Sequence, residues 1–308
     1  MEIPLLLFEK IAQLFMFLLL GFISVKLGLV KSEDSSPLSK ILLYVLTPAI
    51  VFEAFDVEMT PEITRGLIIT LIVAVASHFM FLAVDFAYKK TLRPGNVERA
   101  CAMYSNCGNL LIPIVISVLG KEWVIYSSGF LCVQLFFVWT HGVGLFSGKI
   151  SFAPKKIFTN VVLISVMLGL IMAALKLRLP PFIKGVTEPL GNMVGPISMF
   201  ICGMIATEVK PRRVFRDKRT YIVILMRMIV TPLIGLLLFR TALMFIGVPD
   251  AEKILLISYL AVIAPTGTSA VQFAQIYDKE PDFAVSINII ATLLCIVTMP
   301  IWVALYLM

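Results

Sequence analysis

Two short segments carry the side chains best suited to holding a small polar solute. One runs Ala102–Met103–Tyr104–Ser105–Asn106–Cys107–Gly108–Asn109–Leu110–Leu111–Ile112–Pro113, the other Ala261–Val262–Ile263–Ala264–Pro265–Thr266–Gly267–Thr268–Ser269. In each, neutral donors (Asn106 and Asn109; Thr266, Thr268 and Ser269) alternate with helix breakers (Gly108 and Pro113; Pro265 and Gly267) inside an apolar run. Proline removes a backbone donor and clashes with the preceding turn, and glycine adds backbone freedom, so both runs should unwind near their midpoints. Unwinding leaves free N–H groups at the start of one half-helix, where roughly half an elementary charge favours an anion. The chemistry is reversible capture of a carboxylate, since neutral donors release as readily as they bind. Plainer roles stand beside it: Asn106 and Asn109 as caps for backbone opened by Pro113, Thr268 and Ser269 as hydroxyls bonded to their own helix.

Ionisable groups inside apolar stretches are costly and usually functional. His78, 13 residues beyond Arg65 and so about 20 Å along a helix, could carry a coupling proton near neutral pH or sit neutral in a polar cluster. Asp85 either takes part in proton or cation coupling or pairs with Lys89 at i, i+4. Arg227 either steers an anion or snorkels to the headgroups. His141, Glu53, Glu9 and Lys10 fall near the ends of apolar stretches and read as interfacial. Gln134 and Asn288 read as polar glue between helices or as pocket lining.

The elements that must position these residues are membrane helices. Hydrophobic residues make up 59% of the 308 and charged ones 15%, and the mean hydropathy is +0.98, far from a soluble domain. Ten apolar stretches reach the roughly 20 residues that span a bilayer: 5–25, 38–55, 66–88, 97–119, 123–146, 157–175, 186–207, 221–246, 254–276 and 283–307. The first lacks a basic leader and a small-residue cleavage site, so it is expected to be kept as a helix. The formal charge of +7 sits in short loops and reports topology, not nucleic acid. Lys89, Lys90, Arg93, Arg99 and the basic run within Lys210–Thr220 fall on one face; Arg65, Lys121, Arg178, Lys184 and Lys253 fall on the other. The richer face is expected in the cytoplasm, with both termini outside. Five cysteines with no CxxC pair suggest no disulfide framework, no zinc and no cofactor.

Five stretches precede Ser147–Pro154 and five follow, so the second set enters from the opposite side. An inverted repeat of two five-helix units, 1–150 and 151–308, is the expected organisation. Its traces are Pro94–Gly95–Asn96–Val97–Glu98–Arg99 against Val248–Pro249–Asp250–Ala251–Glu252–Lys253, and Thr47–Pro48 against Gly195–Pro196. The pairs Gly144/Gly148 and Gly191/Gly195 read as helix-packing faces.

Several motifs then fall in a familiar order. Asn106, Gly108 and Pro113 are joined by Phe158–Thr159–Asn160 with Gly169 and Leu179–Pro180, and by Leu190–Gly191, Pro196 and Phe200–Ile201–Cys202–Gly203–Met204. Arg227 with Thr231–Pro232 follows, then Ala264–Pro265, Ala274–Gln275–Ile276–Tyr277, Pro281 and Thr298–Met299–Pro300–Ile301–Trp302. The chain resembles the auxin efflux carrier family along essentially its whole length, in the short form typical of microbial members. Leu111 and Val161 stand where the family usually has glycine and proline. The resemblance implies an all-α polytopic membrane fold related to sodium/proton antiporters and bile-acid symporters, with ten transmembrane helices. Helices 1, 2, 6 and 7 would form a scaffold; helices 3–5 and 8–10 would form a transport domain in which broken helices 4 and 9 cross.

The expected function is secondary transport of a small organic anion by alternating access across the plasma membrane. Proton or sodium coupling is open, and a second copy of the chain is a candidate partner. Competing readings are an uncoupled anion channel or uniporter and a carrier of an auxin-like aromatic acid. An intramembrane enzyme is disfavoured, since neither HExxH, GxSxG nor a GxGD-type aspartate pair occurs.

Overall fold

The computed structural model describes residues 2–148, 155, 158–208 and 217–308, with the side chains of 2–7 and of Asn109 outside that description. Most of the segment between the two halves (149–154) and the basic residues Lys210, Arg212, Arg213 and Arg216 also lie outside it. The described chain is helical, and its one isolated extended pairing joins Ser105 to Thr266. Among the described residues, seven helices are long and apolar enough to cross a membrane: Phe8–Lys26, Ser32–Glu53, Pro61–Leu92, Lys121–Ser147, Pro181–Ala206, Lys218–Phe245 and Pro281–Leu307. The remaining three apolar stretches differ for physical reasons. Stretches 97–119 and 254–276 are interrupted, and 157–175 holds the shorter apolar helix Val161–Ala174. That helix starts at the Asn160 cap, whose Oδ1 accepts from the N–H groups of Val162 and Leu163.

Proline leaves a recurrent mark. The π-helical turns Leu42–Leu46, Cys107–Leu111 and Met226–Val230 each come just before a helix whose second residue is Pro48, Pro113 or Pro232. A widened turn relieves the clash between the proline ring and the preceding carbonyl without ending the helix. A fourth π turn, Val138–Gly142, has no proline behind it.

The helices pack in two groups. In the first, α1 (Glu2–Lys26) lies along α11 (Val194–Ala206), while α3 (Thr47–Glu53) packs on α9 (Val161–Ala174) and α10 (Pro181–Asn192). Glycine permits the closest approaches here: a Cβ on Gly21 would lie 2.1 Å from the Phe200 carbonyl oxygen, and one on Gly203 would lie 1.9 Å from that of Leu18. Gly191 and Gly195 also sit at contacts, against Ile50 and against Pro113. Gly148 does not; it is the left-handed residue that ends α8 (Val143–Ser147), with nothing within 4 Å of a built Cβ.

The second group surrounds the two interrupted helices. It contains α4 (Pro61–Leu92), α7 (Ser127–Phe137), α13 (Thr231–Phe245) and α16 (Pro281–Leu307). At one end of this group Arg219 gathers three carboxylates, Asp217 at 2.9 Å, Glu280 at 3.0 Å and Glu98 at 3.4 Å. The Arg219 guanidinium holds the Asp217 carboxyl below its ordinary range, helped by the Arg219 backbone N–H. The two groups meet where α1 and α11 touch α6 (Ile112–Val118) and α16. A shallow apolar crevice lies along that seam, lined by Leu14, Leu18, Leu110, Met199, Thr292 and Cys295 among others.

Candidate functional site: a crossing of two broken helices

The first interrupted helix, α5 (Asn96–Met103), ends where Tyr104 turns extended (φ −86°, ψ 122°), and helix resumes at Cys107 and continues into α6. The second, α14 (Ala251–Ile263), ends where Ala264 turns extended (φ −60°, ψ 151°), and α15 (Thr268–Ile276) begins after Gly267. The breaks are bound to each other. The Asn106 N–H donates to the Pro265 carbonyl at 2.8 Å, the Gly267 N–H donates to the Tyr104 carbonyl at 2.7 Å, and the Ser105–Thr266 bridge is antiparallel. Gly267 is required for this approach, because a Cβ there would lie 2.7 Å from the Ser105 carbonyl oxygen. Each break thus satisfies backbone groups that its neighbour would leave open in a lipid-facing helix.

Two amides close the crossing from opposite sides. Gln134 Nε2 donates to the Ser105 carbonyl at 2.7 Å, and the Ser105 hydroxyl donates back to Gln134 Oε1 at 2.9 Å. Asn288 Nδ2 donates to the Thr266 carbonyl at 2.6 Å, while the Thr266 hydroxyl donates to the Cys101 carbonyl at 2.9 Å. Gln134 and Asn288 therefore act as glue on the backbone.

Of the residues singled out by spacing, Asn106, Pro265, Thr266 and Gly267 are buried within the crossing, and Gly108, Thr268 and Ser269 are half-buried at its edge. Among the described residues the Asn106 amide nitrogen has no hydrogen-bond partner, and its residue is only 3% exposed. Beside it, a Cβ on Gly108 would find open space. An unpaired buried amide costs roughly 1–3 kcal/mol, so this donor is either strained or kept for something that arrives. Pro113 lies further along, packed against Gly195 of α11. The Asn109 side chain lies outside the described residues.

Arg227 is fully buried, at 0% exposure, and does not reach the headgroups. Its Nε and Nη2 donate to the Ala264 carbonyl at 2.9 and 2.5 Å, and Nη2 also to that of Val262 at 2.7 Å. Its Nη1 donates to the Met103 carbonyl at 3.1 Å and, more weakly, to that of Ala102 at 3.5 Å. Phe81 lies 5.9 Å from the guanidinium. All four carbonyls belong to the last turns of α5 and α14 or the residue just after. Helix ends leave such carbonyls unpaired; the cation meets them where the two ends converge.

The remaining ionisable residues separate. His78 packs among Phe81, Phe130 and Phe137, with centroids 4.9–5.4 Å away, and its Nδ1 lies 2.7 Å from the Ala74 carbonyl. Asp85 pairs with Arg99 in a two-point contact, at 2.8 and 2.5 Å. It also faces His141 Nε2 at 3.8 Å. The Tyr104 hydroxyl lies 2.9 Å from His141 Nδ1 and donates to the Phe137 carbonyl at 3.0 Å. A polar line thus runs Arg99–Asp85–His141–Tyr104 into the first break. Sequence reading placed His141 at a helix end and missed this link; no spacing rule connects residues 85, 104 and 141 before the helices pack.

A family model described as membrane transport protein matches the chain over residues 6–151 and 149–303. No curated protein matches it significantly. With nearly every residue covered by that match and a set of bilayer-length helices around the crossing, the chain belongs to the membrane transport protein family, that of the auxin efflux carriers, and is a multi-pass membrane transport protein.

Proposed function

We propose that this protein is a secondary carrier that moves a small organic anion, a carboxylate, by alternating access across the plasma membrane. The observation that carries the reading is the unpartnered, buried Asn106 amide beside open space at Gly108. It stands at the start of the second half of the first broken helix, where backbone N–H groups and the helix dipole favour negative charge. Asn109, Thr268 and Ser269 complete the set of neutral donors, with Thr266 and the breakers Gly108, Pro113, Pro265 and Gly267 shaping the backbone around them.

The carrier is built from ten spans in two inverted five-helix repeats, 1–150 and 151–308. The antiparallel pairing of the breaks and the matched clamps of Gln134 and Asn288 support this. Spans 1, 2, 6 and 7 serve as scaffold and the others as the transport domain, in keeping with the two packing groups. Both termini face outward. His78, set among aromatic rings, is the first candidate for proton coupling; Asp85, which reaches the crossing through His141 and Tyr104 but is held by Arg99, is the second.

A thermal-shift screen of purified protein against organic acids, at two pH values and with and without sodium, tests the reading. At least one carboxylate should raise the melting temperature, and Asn106→Ala should abolish that rise while leaving the unliganded protein folded. Undiminished ligand stabilisation in Asn106→Ala would exclude this site.

A further inference from the structure

The crossing brings together two helix ends and two helix starts, and their partial charges cancel. Each end contributes about −0.5 and each start about +0.5 of an elementary charge, so a bare crossing has no preference for either sign. Arg227 changes that sum. Its guanidinium sits on the carbonyls of the two ends, Ala102 and Met103 on one side and Val262 and Ala264 on the other. Among the described residues no carboxylate pairs with it, and it is 0% exposed. With both ends neutralised by one full positive charge, about one elementary charge is left uncompensated at the starts near Cys107 and Thr268.

We propose that Arg227 fixes the sign of the crossing, making it an anion site, and clamps the two half-helix ends into one unit. This rests on the organic-anion reading above and supplies its physical cause. It also accounts for the residue being arginine. The planar fork offers five N–H donors and reaches two separate backbone segments at once, whereas a lysine ammonium is a point charge with three donors. Arg227 is a positioning residue: it acts through the backbone it holds, and the solute meets the half-helix starts and Asn106.

The test uses the full chain in nanodiscs, as wild type, Arg227→Met and Arg227→Lys. Hydrogen exchange is followed over peptides covering 101–111 and 261–269, with α9 as an internal control. Equilibrium binding is measured for malonate and for neutral malonamide. In Arg227→Met, exchange at the crossing should rise about tenfold or more, as the loss of charged hydrogen bonds implies, with α9 unchanged. Malonate should weaken by about tenfold or more while malonamide changes little, because a unit charge within several ångströms in a protein interior is worth at least that ratio. Arg227→Lys keeps the charge but not the fork, so it should loosen the crossing and yet retain the preference for malonate. Equal weakening of both probes would make the residue merely structural and overturn the charge assignment. Unchanged exchange at the crossing would overturn the clamp. Wild-type protein that binds neither probe overturns the charge assignment together with the organic-anion reading for this ligand class; a loosened crossing in Arg227→Met then upholds the clamp alone.

Discussion

At the scale of single residues, the molecule separates polar groups that serve the fold from groups left open. Asp85 and Arg99 are spent on each other, with side chains only 5% and 11% exposed. Breaking a buried pair by removing one partner typically costs about 3–5 kcal/mol, because the other charge is stranded. Asp85→Asn should therefore lower the melting temperature sharply, and adding Arg99→Gln should recover part of the loss; a plain sum of the two single effects would mean that the residues are not coupled. Asn106 contrasts with this pair, since its amide nitrogen lies buried with no partner among the described residues. The residues at the breaks were legible in the sequence from the breakers alone, because glycine and proline beside neutral donors inside an apolar run mark where a helix must open. What could not be read was which donors are consumed. Thr266 spends its hydroxyl on the carbonyl of Cys101, 165 positions away, and only the assembled fold brings the two together.

Among the elements, close packing of helices is set by where side chains are missing. Gly203 of α11 faces the Leu18 carbonyl of α1 with no room for a Cβ, whereas Gly185 of α10 has nothing within 4 Å. Gly203→Ala should destabilise the protein by about 1–3 kcal/mol or more, as overpacking against rigid backbone does. Gly185→Ala, on an exposed helix position, should be neutral or stabilise by up to about 1 kcal/mol. Thermal denaturation of the two variants in one detergent checks both; equal effects would contradict the glycine contact. The element boundaries show why sequence reading found more spans than there are continuous long helices. Hydropathy is blind to a break of a few residues if its flanks stay apolar, and both Tyr104–Asn106 and Ala264–Gly267 are short. The π turns were equally invisible, although the proline that follows three of them was not.

On the scale of the whole molecule, polar contacts join the two helix groups. One is the ion pair of Lys121, at the start of the short 3₁₀ turn after α6, with Glu188 on α10. Both side chains are exposed by more than a third, so the pair adds about 0–1 kcal/mol at most to stability. Its interest lies in position, because it spans the bodies that the proposed carrier moves against each other. Bridging the two positions in Lys121→Cys/Glu188→Cys with a reducible bis-thiosulfonate cross-linker should stop transport, and reduction should restore it, with no drop in melting temperature; full activity in the cross-linked form would show that these bodies do not move apart there. A related consequence follows from the two backbone hydrogen bonds between the breaks. Since each strand of the crossing supplies the other's missing partner, neither can fray alone without stranding amides in oil. In the proposed carrier, a solute lodged there would be freed by carrying the knot bodily to a different depth or angle, with travel through lipid, not the melting of a single helix turn, as the slow coordinate.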